Sequence, residues 1–304
     1  MVQLSLFADC RETQMKFQIS SNLIKCPICD EPMKFSGHAA YYDRFSHYKT
    51  PVYHCKDCDI FYRHVDDAIR MNHYYAASYV QEKNEQQFFC ARIKFFEYVL
   101  RLAGKYMKTN RGGLDSEFSL LDFGSSYGHL LELARDKGIN AIGVEINERL
   151  MNSCRQRGLI VYKELSQVPG KVDAATLIDS LYYVPDCQKV LGNIKKCLKA
   201  GGVIVVRVTN RNLYAKLINK CVRKGDLSTL GDVIIGYSLK GMDRLLALTG
   251  FNLIEVIPDY GQGKDLGLSK RLCYLLSYVL TLLVGKKFIL TPGLIVIARA
   301  AEPL

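Results

Sequence analysis

Between Ser119 and Ala300 the chain alternates short apolar runs with segments of helical periodicity, and that alternation is its strongest constraint. The stretch LDFGSSYGHLLELARDKGINAIGVEI, residues 121–146, shows one full unit. An apolar run leads into a tight glycine turn, then an amphipathic segment ending in glycine, then a second apolar run closed by an acid. Further apolar runs follow at GLIVY, VDAATLI and VIVVRVT, with NERLMNSCRQRG, CQKVLGNIKKCLKAGG and SLKGMDRLLALTGF as helical segments. Apolar runs joined by helices form a parallel, doubly wound sheet covered on both faces. The expected fold class is α/β: a Rossmann-like, mostly parallel sheet, with NLIEVI and GLIVIARA closing it as a C-terminal antiparallel hairpin.

The glycine turn narrows the ligand. A dinucleotide site has the form G-x-G-x-x-G, where the second glycine admits a pyrophosphate and the third lets helix and strand pack closely. Counted from Gly124, those positions hold Ser126 and His129, so the fingerprint fails twice and NAD is not expected. S-adenosylmethionine has no pyrophosphate, so close backbone approach matters at fewer points, and Gly124 and Gly128 suffice. Glu145 ends the second run, where a carboxylate can accept both ribose hydroxyls. Many strand–turn–helix units bind nothing, so the turn alone does not decide the matter.

The motifs LDFGSSYG, GVEIN, VDAATLIDSLYYVPD and LKAGGVIVVRV stand in the order and spacing of class I S-adenosylmethionine-dependent methyltransferases, which roughly residues 75–304 resemble. The resemblance implies an enzyme whose cofactor is held by the turn residues Phe123, Gly124, Ser125, Ser126 and Gly128. It implies that Asp122 steadies the turn and the methionine amino group, that Glu145 holds the ribose and that Ile146 packs on the adenine. Asp179 and Ser180 then open the segment, ending at Val184, that lines the methyl-transfer face. Ser126 departs from the commonest pattern; it is small enough to keep the turn, and cofactor affinity is what it bears on.

No signal peptide is visible in MVQLSLFADCRETQMK, so a cytoplasmic location is expected, where most of the eleven cysteines stay reduced. Closely spaced pairs then read as metal ligands. KCPICD and HCKDCD place Cys26 and Cys29 in one C-x-x-C and Cys55 and Cys58 in another, with 25 residues between. Two such hairpins complete a four-thiolate Zn2+ site with no position open to water, hence a structural one. In a variant of this reading His54 or His38 replaces one thiolate. The order CPIC…CKDCDIFY…HYYAASY ahead of LDFGSSYG resembles bacterial small-molecule methyltransferases of sugar, surface-polysaccharide and natural-product pathways. That resemblance implies that Tyr75 and Tyr79 close over the cofactor. Sugar C-methyltransferases of the group are longer at the C-terminus, so O- or N-methylation is expected over C-methylation. Ribosomal RNA guanine methyltransferases also carry a zinc finger before this fold and supply a second reading, although no aromatic–basic strip for splayed bases accompanies it. A third reading is a non-catalytic zinc-ribbon binding protein on a vestigial fold, with Ser126 as its support.

Residues 1–62 read as an N-terminal segment with the zinc ribbon, 63–115 as a helical connector and cofactor lid, and 116–304 as the methyltransferase domain. The connector is helical because Phe88, Phe89, Ile93, Phe96, Val99, Leu100 and Ala103 recur at three- and four-residue steps. Methyl transfer needs an aligned nucleophile and, for a hydroxyl acceptor, a group that takes its proton. Tyr182 and Tyr183 follow the fourth strand, on the rim where open α/β sheets bind ligands, and His129 opens the helix after the turn. These three are the catalytic candidates; the plain alternative is packing for the tyrosines and a helix-start position for the histidine. Asp179 and Asn210 are further rim candidates. The formal charge of +11 is concentrated: ten Lys or Arg and no acid lie between Asp186 and Asp226. That hints at an anionic partner, be it phosphate, nucleotide sugar, nucleic acid or lipid headgroup, among which charge alone does not choose; with the resemblance to small-molecule enzymes, an anionic small-molecule acceptor is expected ahead of RNA. Finally, LSKRLCYLLSYVLTLLVGKK (268–287) holds about fourteen mostly apolar residues between cations, short of the roughly 20 that span a bilayer. No transmembrane segment is expected. The segment reads as an inserted helix covering the substrate pocket or packing in a dimer, with weak contact at a membrane interface as the alternative. Nothing in the sequence sets the oligomeric state.

Overall fold

Apolar runs that the sequence places in a parallel sheet do assemble into one. The computed structural model describes residues 23–43, 46–66, 82–107, 118–210, 215–216, 225–259, 268–284, 289, 291 and 293–302. The central strands are β4 (Ser119–Phe123), β5 (Asn140–Val144), β6 (Ile160–Tyr162), β7 (Val172–Ile178), β8 (Leu198–Thr209), β10 (Phe251–Asp259) and β11 (Gly293–Ala300), in the order β10-β11-β8-β7-β4-β5-β6. The pairs β4–β5, β5–β6, β4–β7 and β7–β8 are parallel, whereas β11 runs antiparallel to both β8 and β10. The mostly parallel α/β sheet with an antiparallel C-terminal hairpin is therefore the architecture present.

Successive residues of each strand serve opposite faces. Leu120, Ala174, Val203 and Val205 pack under helix α1 (Glu82–Met107), against Phe95, Phe96, Val99, Leu100, Ala103 and Tyr106. Leu121, Ala175, Leu177, Ile204 and Val206 face the other way, toward α4 (Cys187–Cys197) and α5 (Leu239–Leu248). Helices α2 (His129–Asp136) and α3 (Glu148–Gln156) connect β4, β5 and β6. One expected boundary moves. LKAGG, read as the end of a helix, opens β8 instead. Gly201 adopts φ 70°, and a Cβ on Gly202 would lie 2.9 Å from the Lys199 carbonyl, so the strand bends there on two glycines.

The N-terminal unit is a small antiparallel sheet: β1 (Lys34–Asp43), β2 (Ser46–Cys55) and β3 (Ile60–Arg63), extended by β9 (Ile235–Gly236). β9 comes from the far side of the chain, after β8, and pairs Phe61 with Gly236 and Tyr62 with Ile235. Arg63, 1% exposed, donates to the carbonyls of Ala40 and Gly231, and its own N–H donates to Ile234. The apolar core is continuous from Cys26, Ile28 and Ile60 through Leu191 and Leu245 to the β7–β8 face. Helix α6 (Leu268–Val284) is inserted between β10 and β11. No helix among the described residues is long and apolar enough to cross a membrane.

Candidate active site and metal centre

The carboxyl ends of β4, β5 and β7 surround a cavity of about 510 Å³, within the range of small-molecule sites. The glycine turn forms its floor. Gly124 at φ 77° and Gly128 at φ 76° occupy the left-handed region, and neither has room for a side chain. A Cβ on Gly124 would stand 2.6 Å from the Ser180 Cβ, and one on Gly128 2.7 Å from the Leu159 Cδ1. Ser126 between them is also left-handed, at φ 51°. The serine keeps the turn, as expected, but its cost is conformational: about 1–2 kcal/mol for a residue with a Cβ.

Glu145 is the centre of the arrangement. It lies just beyond β5, 7% exposed, on the cavity wall. The Ser126 N–H donates to its Oε2 at 2.8 Å and the Asn147 N–H to its Oε1 at 2.8 Å. Asn147 in turn caps α3, accepting from the N–H groups of Arg149 and Leu150. The carboxylate has four acceptor sites, more than the backbone N–H groups that face it, so acceptor capacity is left for hydroxyls arriving from the cavity. Burial raises the Glu145 carboxyl, with the Asn147, Ser126 and Ile146 N–H groups opposing it. Ile146, 40% exposed, offers an apolar edge to the same cavity, and Phe123 and Ser180 line it too.

A second, small cavity of about 40 Å³ shares Gly124 and Ser126 with the first and is lined by Asp122, Ser125, His129 and Arg92 among others. Burial pushes the Asp122 carboxyl up to about 7; the Thr176 hydroxyl, donating at 2.7 Å, opposes this and the Glu145 charge adds to it. His129, 7% exposed, stacks on Tyr127 with ring centroids 5.8 Å apart and sets Nδ1 3.5 Å from Glu132 Oε2. The Ser125 and Ser180 hydroxyls are buried with no hydrogen-bond partner among the described residues. Two orphan hydroxyls, two buried carboxyls and an apolar edge fit a ligand that carries hydroxyls, an amine and an aromatic ring.

At the far rim Asp179, left-handed at φ 57°, is gripped by Arg92 from α1 and Arg207 from β8. Arg207 also donates to Asp259 at the end of β10, at 2.9 Å. Burial alone would raise the Asp179 carboxyl; the Arg207 and Arg92 guanidiniums outweigh it and hold it below the ordinary range. Neither arginine carries a motif signal, and sequence reading missed both. The tyrosine pair divides. Tyr183 lines the cavity, its hydroxyl donating to Asp232 at 2.7 Å. Tyr182 is not on the cavity wall: it is 6% exposed in the core, and burial, then the Asp179 charge, push its phenol well up. Asn210 is buried and donates to the carbonyls of Ile289 and Thr291, closing the β8–β11 corner rather than facing the cavity. Lys163, unmarked in the sequence, and Lys189 of the basic block stand on the wall. Tyr75 and Tyr79 lie outside the described residues.

The sulfurs of Cys26, Cys29, Cys55 and Cys58 lie within 4.8 Å of one another. Cys29 Sγ is 3.7 Å from Cys55 Sγ, against about 3.8 Å for two thiolates on a tetrahedral ion with 2.3 Å bonds. The N–H groups of Ile28 and Cys58 donate to Cys26 Sγ and Cys55 Sγ at 3.4 Å. Asp30 and Asp59, each directly after the second cysteine of its pair, turn the chain at φ 61° and 55°. Burial pushes the Cys26 thiol up to about 12, so four thiolates here need a compensating cation. The donor set and its spacing fit zinc. His54 points to Asp59 at 3.1 Å and His38 packs edge-on against Phe35, so neither replaces a thiolate.

A family profile described as a methyltransferase domain matches residues 83–256, more than half of the chain. A ubiquinone biosynthesis O-methyltransferase of Methylococcus capsulatus is 31% identical over 138 residues, covering 42% of this chain and 53% of that protein. The enzyme of the same description from Dechloromonas aromatica is 26% identical over 132 residues, covering 40% and 51%. The chain thus spans about half the length of the curated relatives it matches. Among solved structures, the plantazolicin methyltransferase BamL, crystallised with a triazolic desmethyl analogue and S-adenosylhomocysteine, shares the fold at a TM-score of 0.50 and 16% identity, over 77% of this chain and 96% of that one.

Proposed function

The chain belongs to the methyltransferase-domain family, and from that premise we propose that it moves the methyl group of S-adenosylmethionine to an oxygen of a small acceptor, with a zinc ion clamping its N-terminal hairpins. The observation that carries the reading is Glu145, buried at the cavity and held through both oxygens by the Ser126 and Asn147 N–H groups with acceptor capacity to spare. When bound, the cofactor supplies a methyl group on a positively charged sulfur. The chain's own groups do the rest. Glu145 accepts the ribose hydroxyls, Ile146 flanks the adenine, and the Gly124–Gly128 turn lies under the methionine part. Asp122, its charged form disfavoured by burial, takes the amino group as its counter-charge. Ser125 and Ser180 gain the partners they lack.

Oxygen as the target is supported by the relatives, which are described as O-methyltransferases in ubiquinone biosynthesis. Support for an acceptor with negative charge comes from the +11 balance and from Lys189, which the basic block places on the cavity wall. Of the catalytic candidates, Tyr183 lines the large cavity and His129 the small one beside the turn, and Tyr183, paired with Asp232, has a carboxylate ready to share its proton. The Arg92–Asp179–Arg207 bridge fixes the rim on which the acceptor sits. Calorimetric titration with S-adenosylhomocysteine tests the assignment: binding by the wild-type protein is expected, and its absence refutes the cofactor.

A further inference from the structure

We propose that helix α6 is an amphipathic docking element that seats the protein on the surface of an anionic lipid bilayer. The helix is turned inside out relative to a helix of a protein core. Leu272, Leu275, Leu276, Leu282 and Leu283 are between 53% and 76% exposed, and Val279 is 40% exposed. Ser277 is fully buried. At about 100° per residue the six aliphatic side chains share an arc of about 120°, and Ser277 lies opposite its centre. Tyr278, 53% exposed, extends the edge of the arc with a ring that has one apolar and one wet end. The polar position therefore faces the protein and the leucines face out. The sequence reads this segment as a pocket cover or a dimer element; in the fold its leucines face out.

The observations favour a membrane over other occupants of this face. Seventeen residues at about 1.5 Å each give about 25 Å, short of a hydrocarbon core of about 30 Å, so the helix lies in the interface rather than crossing it. Between Leu266 and Ala301 the sequence has no acid, while Lys270, Arg271, Lys286 and Lys287 stand at the two ends of the helical segment. Leucines flanked by cations match an anionic headgroup layer over an apolar interior. A second copy of the chain is disfavoured by the same count, because a two-fold interface would bring the cations of both copies together. The position is also telling. The connection holding α6 leaves the sheet at Asp259 and returns at Gly293, which pairs with Thr209, at the edge where Asp179 and Arg207 meet. Docking therefore sets the cavity rim beside lipid; on the methyl-transfer reading, on which this clause alone rests, the acceptor is an amphiphile taken from the bilayer.

Flotation with vesicles tests the docking without any methyl transfer, so the two readings can fail separately. The probe is vesicles of about three parts phosphatidylcholine to one part phosphatidylglycerol, with pure phosphatidylcholine as reference. The wild-type protein is expected to float with the anionic vesicles, less with neutral ones, and less again at high salt. The double variant Leu275→Glu, Leu282→Glu changes two exposed positions. It is expected to keep its melting temperature and to lose at least about tenfold of its vesicle partition. A wild-type protein that stays in the lipid-free fractions overturns the proposal, as does a double variant that floats equally well. Equal flotation with neutral vesicles overturns the anionic assignment. A dimer in sedimentation that the two substitutions split, with no flotation, gives the face to a second copy and overturns it too.

Discussion

Replacing Glu145 by glutamine is the sharpest perturbation of the proposed cofactor site. The shape is kept, and the chemistry changes at two atoms. In the native site Oε1 accepts from the Asn147 N–H and Oε2 from the Ser126 N–H. An amide has one oxygen and one NH2, so one of those N–H groups meets a donor and loses its bond. On the cavity side, one of two acceptors for ribose hydroxyls becomes a donor. A hydrogen bond to a charged group contributes about 1.5–3 kcal/mol, and the loss of one such bond to the ligand weakens binding by about 10- to 150-fold. The turn itself is expected to hold, since removing a carboxylate that burial disfavours offsets part of the lost backbone bond. Calorimetry with S-adenosylhomocysteine reads the dissociation constant directly, and the melting temperature without ligand reports the turn. Glu145→Gln binding within about twofold of wild type, with an unchanged melting temperature, would refute the reasoning.

Other outcomes follow from the same geometry. Asp122 has a folded-state pKa raised from 3.8 to about 7, so its protonation stabilises the fold at low pH and that contribution is lost as pH rises through about 7; Asp122→Asn should flatten the dependence of melting temperature on pH between 5 and 8, and an unchanged slope would count against the burial argument. Gly128→Ala combines a left-handed backbone with a Cβ 2.7 Å from Leu159 and 2.8 Å from Cys154 Sγ, whereas Gly138→Ala, at φ 73°, meets nothing within 4 Å. The first should cost about 2–5 kcal/mol and the second about 1–2, a difference that thermal melts resolve. Cys55→Ser should remove one equivalent of zinc by elemental analysis and lower the melting of the whole protein in a single transition, because the core runs unbroken from Cys26 to the β8 face. Two separated transitions would show that the ribbon folds apart from the sheet.

What the sequence revealed was local in the chain. The four cysteines announce themselves in two C-x-x-C pairs, and Gly124, Ser126, Gly128 and Glu145 fall within one strand–turn–helix–strand unit. The parallel sheet was legible because strands buried on both faces read as unbroken apolar runs. What stayed hidden is set by distance along the chain. Arg92 and Asp179 are 87 positions apart, and nothing in the helical pattern around Arg92 marks it as a rim residue. β9 is two residues long, too short for any periodicity, yet it completes the ribbon's sheet. Tyr182 and Tyr183 are indistinguishable as types; only the short helical turn at Leu181–Tyr183 sends one into the core and leaves the other on the cavity.

The backbone supplies an independent line of reasoning about where function resides. Among the described residues four non-glycine positions have left-handed φ: Asp30, Asp59, Ser126 and Asp179. Aspartate tolerates this region better than most residues and serine less well, and each such residue costs of order 1–2 kcal/mol against an extended or helical one. Such strain persists only where the surroundings over-determine it, and it gathers at ligand sites. Two of the four turn the chain directly after Cys29 and Cys58, and the other two face the cavity, one from the glycine turn and one from the end of β7. At Ser126 the left-handed turn aims the N–H at Glu145, and at Asp179 it brings the carboxylate between Arg92 and Arg207. A glycine at 126 would relax the backbone and keep that N–H. Ser126→Gly is therefore expected to leave S-adenosylhomocysteine affinity unchanged, because the site uses the backbone conformation at 126 and not its hydroxyl. A loss of affinity on that substitution would instead assign the serine side chain to the ligand.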